Sequence, residues 1–154
     1  LPKGNGFDEV VRCCTEIGVS CIMPVLSDRT LLQPSPQKLE RWRRIAKEAA
    51  EQSERSLIPT ILEPVPLHQA LAAATSKQLY FCVARRNYPH LKTLLTATST
   101  EITIAIGPEG GWTTPEIEGA IAAGYQLVSL GRRVLRAVTA PIVAMSLVSA
   151  ACDG

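Results

Sequence analysis

The chain has 154 residues, of which 46% are apolar, and it carries a formal net charge of +2. This length supports one domain with a substantial core, and the mean hydropathy of +0.12 excludes a disordered chain. No apolar run is long enough to span a membrane, and the first residues lack the pattern of a signal peptide. Because the chain begins with Leu1, we expect a processed form or a fragment of a longer protein.

Strand-like and helix-like segments alternate along the chain. Short apolar runs predict strands at residues 21–25, 57–62, 79–84, 101–106 and 126–130. Apolar residues at helical spacing predict helices over residues 7–17, 39–55, 67–75, 88–97, 115–123 and 141–152. This order predicts an α/β fold with a mostly parallel sheet and helices on both of its faces. The proline-containing segment 27–38 is expected to be the longest loop.

The ends of two predicted helices carry further information. The helix near residue 115 has two possible starts: Thr114 can cap it ahead of Pro115, or Thr113 and Glu116 can form a capping box. The last helix, 141–152, is apolar on almost every side, and a helix without a polar face is buried. The sheet can cover only part of it, so we expect a second subunit to cover the rest in a homodimer.

Two glycine-bearing segments each follow a predicted strand and precede a predicted helix. The first is residues 106–113 and the second is residues 130–140. Glycine allows close approach of the main chain to a ligand, and N–H groups at a helix start attract a negatively polarised group. Glu109 disfavours a phosphate and suits hydroxyl groups or a cation, and neither common nucleotide-binding glycine spacing is present. The pair predicts one small-molecule site built from main chain; the alternative is two tight turns without a ligand.

Basic residues form three groups, which favour a nucleic-acid face over ordinary solvated surfaces: 41–47, 85–86 and 132–136. Arg136 is expected to point into the site. Arg55 ends a helix on which Glu48 and Gln52 could orient it, although a parallel sheet would place it opposite the glycine turns. The spacing of the five cysteines predicts reduced, buried thiols in a cytosolic protein, and two separated histidines argue against a metal site.

These segments together resemble the SPOUT-class methyltransferases that methylate N3 of a uridine in bacterial small-subunit ribosomal RNA. The resemblance runs nearly from end to end. It rests on five motifs in order along the chain. The first is Lys3-Gly4 with residues 16–19 and 22–24, and the second is S-x-R-[ST] at 27–30. The others are E-A-x-x-Q-S-x-R at 48–55, G-P-E-G-G at 107–111, and the segment 130–140. The G-P-E-G-G loop alone recurs within the class, whereas the five motifs in this order are specific.

The resemblance implies a C-terminal trefoil knot in which S-adenosylmethionine binds, an exception to the rule against knots. The implied cofactor-binding residues are Gly107, Pro108, Glu109, Gly110, Gly111, Leu130, Gly131, Leu135, Thr139 and Ala140. It also implies a homodimer through the last helix, whereas the expected cytoplasmic location and the expected absence of a metal rest on the cysteines and histidines. Members usually carry an N-terminal RNA-binding barrel, so residues 1–154 are expected to be the methyltransferase domain without it.

Under the methyltransferase hypothesis, five arginines are candidates for catalysis or for RNA binding. The acceptor is an imide nitrogen that must lose a proton, and Arg55 and Arg136 are the candidates to stabilise the resulting anion. Arg29, Arg132 and Arg133 are the candidates to contact RNA. The chain departs from the family at Val138, where a glutamate is common, so no role of that carboxylate is carried over. Two alternatives stay open: a catalytically silent ribosome-binding module, and an unrelated nucleotide-binding enzyme such as a dehydrogenase.

Overall fold

The computed structural model describes residues 6–30, 34–54, 57–84, 87–95, 101–108, 111–131 and 135–153. Helices and short strands alternate along these residues, as predicted. The helices are α1 (Gly6–Ile17), α2 (Pro36–Gln52), α3 (Leu67–Ala73), α4 (Leu91–Leu94), α5 (Thr114–Ala122) and α6 (Thr139–Asp153). The strands are β1 (Cys21–Ile22), β2 (Val25–Leu26), β3 (Thr60–Ile61), β4 (Val65–Pro66), β5 (Gln78–Cys82), β6 (Ile102–Ala105) and β7 (Gln126–Val128). Every strand pair in the described part of the chain is parallel.

The largest sheet has the strand order β6-β5-β7, which places β5 in the centre. Phe81 of β5 and Leu127 of β7 pack on one face, against α3 and α5. Tyr80 and Val128 pack on the other face, against α4 and α6. The sheet is therefore covered by helices on both faces, which confirms this part of the predicted fold and explains the continuous apolar runs in its strands.

The first two predicted strands are each interrupted. Residues 21–25 form β1 and β2, which lie on either side of the buried Pro24, and residues 57–62 shorten to β3, with β4 beyond Pro64. The register changes by one residue between the two pairs, since Cys21 pairs with Thr60 whereas Val25 pairs with Val65. Proline cannot donate a ladder hydrogen bond, and one extra residue on the second strand produces the shift.

Several helix boundaries also differ from the prediction. The helix α2 begins at Pro36 because Ser35 caps it, so the predicted loop 27–38 ends earlier than expected. The helix α4 covers only part of 88–97, because Pro89 and His90 instead join the end of β7. For α5, the N-cap is Thr113 and Glu116 completes a capping box, which confirms the second of the two predicted starts.

The helices α1, α2 and α6 enclose a second core beside β1 and β3. The rings of Phe7 and Trp42 lie 4.6 Å apart, and Val138 and Met145 pack against the same cluster. Val138 is thus a packing residue in this chain. Arg43 of α2 donates two hydrogen bonds to the Ile61 carbonyl, at 2.9 and 3.2 Å, which fixes the helix to β3.

The part of the chain that the structure describes covers only some of the apolar surface of α6. Ala144 is buried, whereas Ile142, Val143, Leu147 and Val148 are only half-buried. Complete burial of this helix was predicted, and within the described part of the chain it is achieved only where α6 faces α1 and α4. No helix among the described residues is long and apolar enough to cross a membrane.

The cap on α2 can be tested by Ser35→Ala. The Ser35 side chain accepts a hydrogen bond from the Lys38 N–H at 3.3 Å, so its loss should lower the free energy of unfolding by about 1 kcal/mol. Urea denaturation measures this difference. Ser146→Ala is the matched control, because this exposed serine lies within α6 and its removal should change stability by less than about 0.5 kcal/mol. Equal stability of the Ser35→Ala variant and the parent chain would contradict the cap.

Candidate functional site

A cavity of about 230 Å³ lies where the carboxyl ends of β5, β6 and β7 meet. Ligands of open parallel sheets bind at this edge. The cavity wall contains seven of the predicted cofactor-binding residues: Gly107, Pro108, Gly111, Leu130, Gly131, Leu135 and Ala140. The structure thus brings the two glycine segments together. Thr139 is not in the wall, and Glu109 and Gly110 lie outside the described residues.

Trp112 joins the first glycine segment to the central strand. Its indole stacks on Phe81 with ring centroids 4.5 Å apart, and its Nε1–H donates to the Cys82 carbonyl at 2.9 Å. A Cβ at Gly107 would approach this indole to 3.0 Å, so a side chain here would require the ring to shift. Gly111, with φ +77°, turns the chain back just before Trp112. The segment takes its shape from this packing.

The second glycine segment is fixed at the end of β7. The Ser129 N–H donates to the Pro89 carbonyl at 2.8 Å, and the Leu91 N–H donates to the Ser129 carbonyl at 2.9 Å. Gly131 follows with φ +125°, a conformation that side chains rarely adopt. These bonds precede Leu130 and Gly131 and hold them in the cavity wall.

Residues 27–30 form a loop that crosses to the start of α5. Within the loop, the Ser27 N–H donates to Thr30 Oγ1 at 3.0 Å. The Asp28 N–H donates to Glu116 Oε2 at 3.0 Å, and Thr113 Oγ1 donates to Asp28 Oδ2 at 2.8 Å. This attachment places Arg29 in the cavity wall, where its Nη1 lies 3.8 Å from the Cβ position of Gly111.

The chemistry of the described wall is mostly neutral. Burial raises the pKa of the Cys82 thiol to about 12, so at neutral pH the thiol stays protonated and is a poor nucleophile or metal ligand. Arg29 is the one charged side chain among the described wall residues. The described residues contain no group of three His, Cys, Asp or Glu side chains that could hold a metal ion. The described part of the wall is therefore mostly apolar and carries one guanidinium.

The cysteines differ in burial. Cys14 and Cys82 are buried and Cys13 is half-buried, whereas Cys21 and Cys152 are exposed. The prediction of buried thiols is therefore wrong for Cys21 and Cys152. Both occupy edges of the fold, at the start of β1 and near the end of α6.

Neither predicted catalytic arginine is among the described wall residues. Arg136 is exposed and is not among the wall residues, although its neighbours Leu135 and Ala137 are. Arg55, Arg132 and Arg133 are outside the described residues. Seven further wall residues were not predicted as site residues, although three of them lie within the predicted glycine segments: Cys82, Val83, Ala84, Ile106, Trp112, Ile117 and Ala137. The carboxyl end of the predicted strand 79–84 was the signal for the first three, since ligands bind beyond such ends.

Gly107→Ala tests the fit between the first glycine segment and Trp112. The added Cβ meets the indole at 3.0 Å, and this overpacking should lower the free energy of unfolding by about 1–3 kcal/mol. It should also change the near-ultraviolet circular dichroism of the stacked indole. Gly119→Ala is the control: nothing lies within 4 Å of its Cβ position, so helix α5 should gain up to about 1 kcal/mol. A Gly107→Ala protein with unchanged stability and spectrum would contradict the packing.

Comparison with known proteins connects this site to one family. The family described as an RNA methyltransferase domain matches residues 1–149. "Ribosomal RNA small subunit methyltransferase E" of Synechocystis sp. is 50% identical over 97% of this chain, and the chain spans 51% of that protein.

Two solved structures are similar to the chain. One is a ribosomal RNA small subunit methyltransferase E from Neisseria gonorrhoeae bound to S-adenosyl methionine, with a TM-score of 0.87, 34% identity, and coverage of 94% of this chain and 60% of that one. The other is a Legionella pneumophila protein in complex with the bound cofactor SAM, with a TM-score of 0.90, 30% identity, and coverage of 99% and 64%. The chain belongs to the RNA methyltransferase domain family.

Proposed function

We propose that this chain is the catalytic domain of an S-adenosylmethionine-dependent methyltransferase that acts on small-subunit ribosomal RNA, at N3 of a uridine. One observation carries the proposal: the two glycine segments meet in one cavity at the carboxyl edge of the sheet. The chain belongs to a family in which similar proteins are solved with this cofactor bound. Because the chain spans 51% of its Synechocystis relative, activity and substrate are proposals for this chain.

The cavity wall fits S-adenosylmethionine in two respects. Glycines at 107 and 131 leave bare main chain facing the cavity, where N–H and C=O groups can bind the polar edges of an adenine. Ile117, Trp112 and Leu135 supply apolar surface for its ring. When bound, this cofactor supplies a methyl group already activated on a sulfonium, so the protein needs no nucleophile of its own. The protonated Cys82 thiol is a poor nucleophile, which is consistent with a reaction in which the protein supplies none.

The acceptor nitrogen sets the remaining task of the protein. N3 of uridine is an imide nitrogen, and a guanidinium beside the base would stabilise its anion and lower its pKa. We assign this role to Arg55 and Arg136. Arg136 is exposed beside the cavity wall and could face a base that enters from solvent. Arg132 and Arg133 are proposed to contact the RNA backbone, together with Arg29 where its guanidinium reaches the cavity mouth.

The proposal also includes the arrangement expected of the SPOUT class. We propose that the C-terminal segment forms a trefoil knot around the cofactor and that the half-buried apolar side of α6 forms a homodimer interface. An RNA-binding barrel in the longer protein would add affinity for the ribosomal substrate. A cytoplasmic location, where ribosomes are made, follows from the same proposal.

Titration calorimetry with S-adenosylhomocysteine tests the cofactor assignment. We expect saturable binding at one site per subunit, because the cavity is formed by one described chain. NADH should not bind, since the glycine spacing lacks the dinucleotide fingerprint. If a folded, dimeric sample does not bind S-adenosylhomocysteine, the methyltransferase proposal is rejected for this chain. Binding without methyl transfer to unmodified small subunits by the full-length protein would favour the silent-module alternative.

Arg55→Ala and Arg136→Ala test the assignment of catalysis. Each should lower kcat for methyl transfer to unmodified small ribosomal subunits by about 100-fold, because a guanidinium that stabilises the anion is lost. The affinity for S-adenosylhomocysteine should stay within about twofold. Arg12→Ala is the control, since Arg12 pairs with Glu9 and Glu16 on its own helix, on the exposed surface of α1. Full turnover by either variant would remove that arginine from the mechanism.

A further inference from the structure

We propose that Glu116 is a positioning residue that fixes the Arg29 guanidinium to bind the carboxylate of S-adenosylmethionine. This inference rests on the proposed function and deepens it, because it assigns the group that recognises the amino-acid end of the cofactor. It also gives a buried carboxylate a role beyond capping a helix. The geometry that carries it lies entirely within described residues.

The two carboxylate oxygens of Glu116 serve two different segments. Oε1 accepts from the Thr113 N–H at 2.8 Å, which caps the start of α5. Oε2 accepts from the Asp28 N–H at 3.0 Å, which holds a loop that is 88 residues away in sequence. The side chain belongs to a residue that is only 8% exposed, so these bonds are shielded from water. A cap alone needs one oxygen; the second is available for the loop.

The Thr113 hydroxyl completes the attachment. It lies 2.8 Å from Asp28 Oδ2 and 3.1 Å from Glu116 Oε1, and its single hydrogen can be donated to only one of them. The shorter contact and the N–H already on Oε1 favour donation to Asp28. The loop is thus held on its main chain by Glu116 and on its side chain by Thr113. The Ser27–Thr30 bonds close the loop from the other side.

This attachment controls the position of Arg29, because Arg29 lies in sequence between Asp28 and Thr30, whose hydrogen bonds hold the loop. Arg29 is the one charged residue among the described wall residues, and its guanidinium lies beside Gly111. The only anionic group of S-adenosylmethionine is the carboxylate of its amino-acid portion. Arginine and carboxylate form directional, charge-assisted hydrogen bonds whose strength depends on where the guanidinium is held. Glu116 therefore acts on the ligand through Arg29.

Glu116→Gln separates the two functions of the carboxylate. Glutamine is an accepted partner at this position of a capping box, so its Oε1 can keep the bond to the Thr113 N–H. Its amide nitrogen would then face the Asp28 N–H, and two donors cannot bond to each other. The variant should keep α5 and release the loop. Asp28→Ala is a second variant with a low risk of misfolding, because Asp28 is exposed and the change removes only the bond from Thr113.

The experiment compares two ligands in calorimetric titrations of the same proteins. S-adenosylhomocysteine carries the amino-acid carboxylate, and 5′-methylthioadenosine lacks that whole portion. We expect Arg29→Ala and Glu116→Gln each to weaken S-adenosylhomocysteine about tenfold and to leave 5′-methylthioadenosine within about twofold. The double variant should bind no more weakly than Arg29→Ala alone, because both changes remove the same contact. Asp28→Ala should weaken S-adenosylhomocysteine in the same selective way.

Glu118→Gln is the matched control, since Glu118 is exposed on the same helix, and it should bind both ligands as the parent chain does. A Glu116→Gln effect that is equal for both ligands, or that adds to Arg29→Ala, would overturn the positioning role and indicate general loosening of the cavity. So would an Arg29→Ala protein that binds S-adenosylhomocysteine normally, which would leave Arg29 to RNA. If the parent chain binds neither ligand, the proposed function itself fails.

Discussion

The site depends on the packing of one indole ring against bare main chain. Trp112 stacks on Phe81 of the central strand, bonds to the Cys82 carbonyl and presses against Gly107. Three strand ends can form one cavity only if something fixes the distances between their loops, and loops alone do not. The ring does so between β5 and the loop after β6, with a large apolar surface and one hydrogen bond, while the bond from Ser129 to Pro89 fixes the loop after β7. The first glycine segment can therefore expose main chain to a ligand and still keep its shape.

The fold has two halves, one around α1 and α2 and one around the β6-β5-β7 sheet. They also meet at this cavity, but through a loop and not through Trp112. The cores around α1 and α2 and around the β6-β5-β7 sheet are separate clusters of buried residues. Residues 27–30, which follow β2, cross from the first half and are attached to Thr113 and Glu116 in the second. A cofactor that contacts Arg29 and the glycine segments would bridge both halves. Binding energy would then also hold the halves together.

Local patterns predicted the features that are local in the structure. The buried strands of the large sheet, the Thr113–Glu116 capping box and both glycine turns depend on neighbouring residues. The break at Pro24 and Pro64 was missed because a register shift depends on two strands at once. Ser35 was missed because the flanking prolines indicated a loop. The bond from Asp28 to Glu116 spans 88 residues, and the sequence around either residue gives no indication of its partner. Trp112 lies within the predicted segment 106–113, but its packing role was missed for the same reason, since its partner strand ends thirty residues earlier.

The distribution of charge suits a reaction between a cationic cofactor and a polyanion. In the proposed function, a sulfonium must lie in a wall that contains few charges, because a cation nearby would oppose it. The described wall meets this condition with a protonated Cys82 and one arginine, whose charge a cofactor carboxylate can offset. The exposed Arg136 lies next to two wall residues, and in the proposed function it faces the acceptor base. Cofactor binding would then depend on shape and main chain, and RNA binding on screened electrostatics. This separation lets one small domain bind two ligands of opposite charge through largely different residues, and Arg29 is the residue assigned to both.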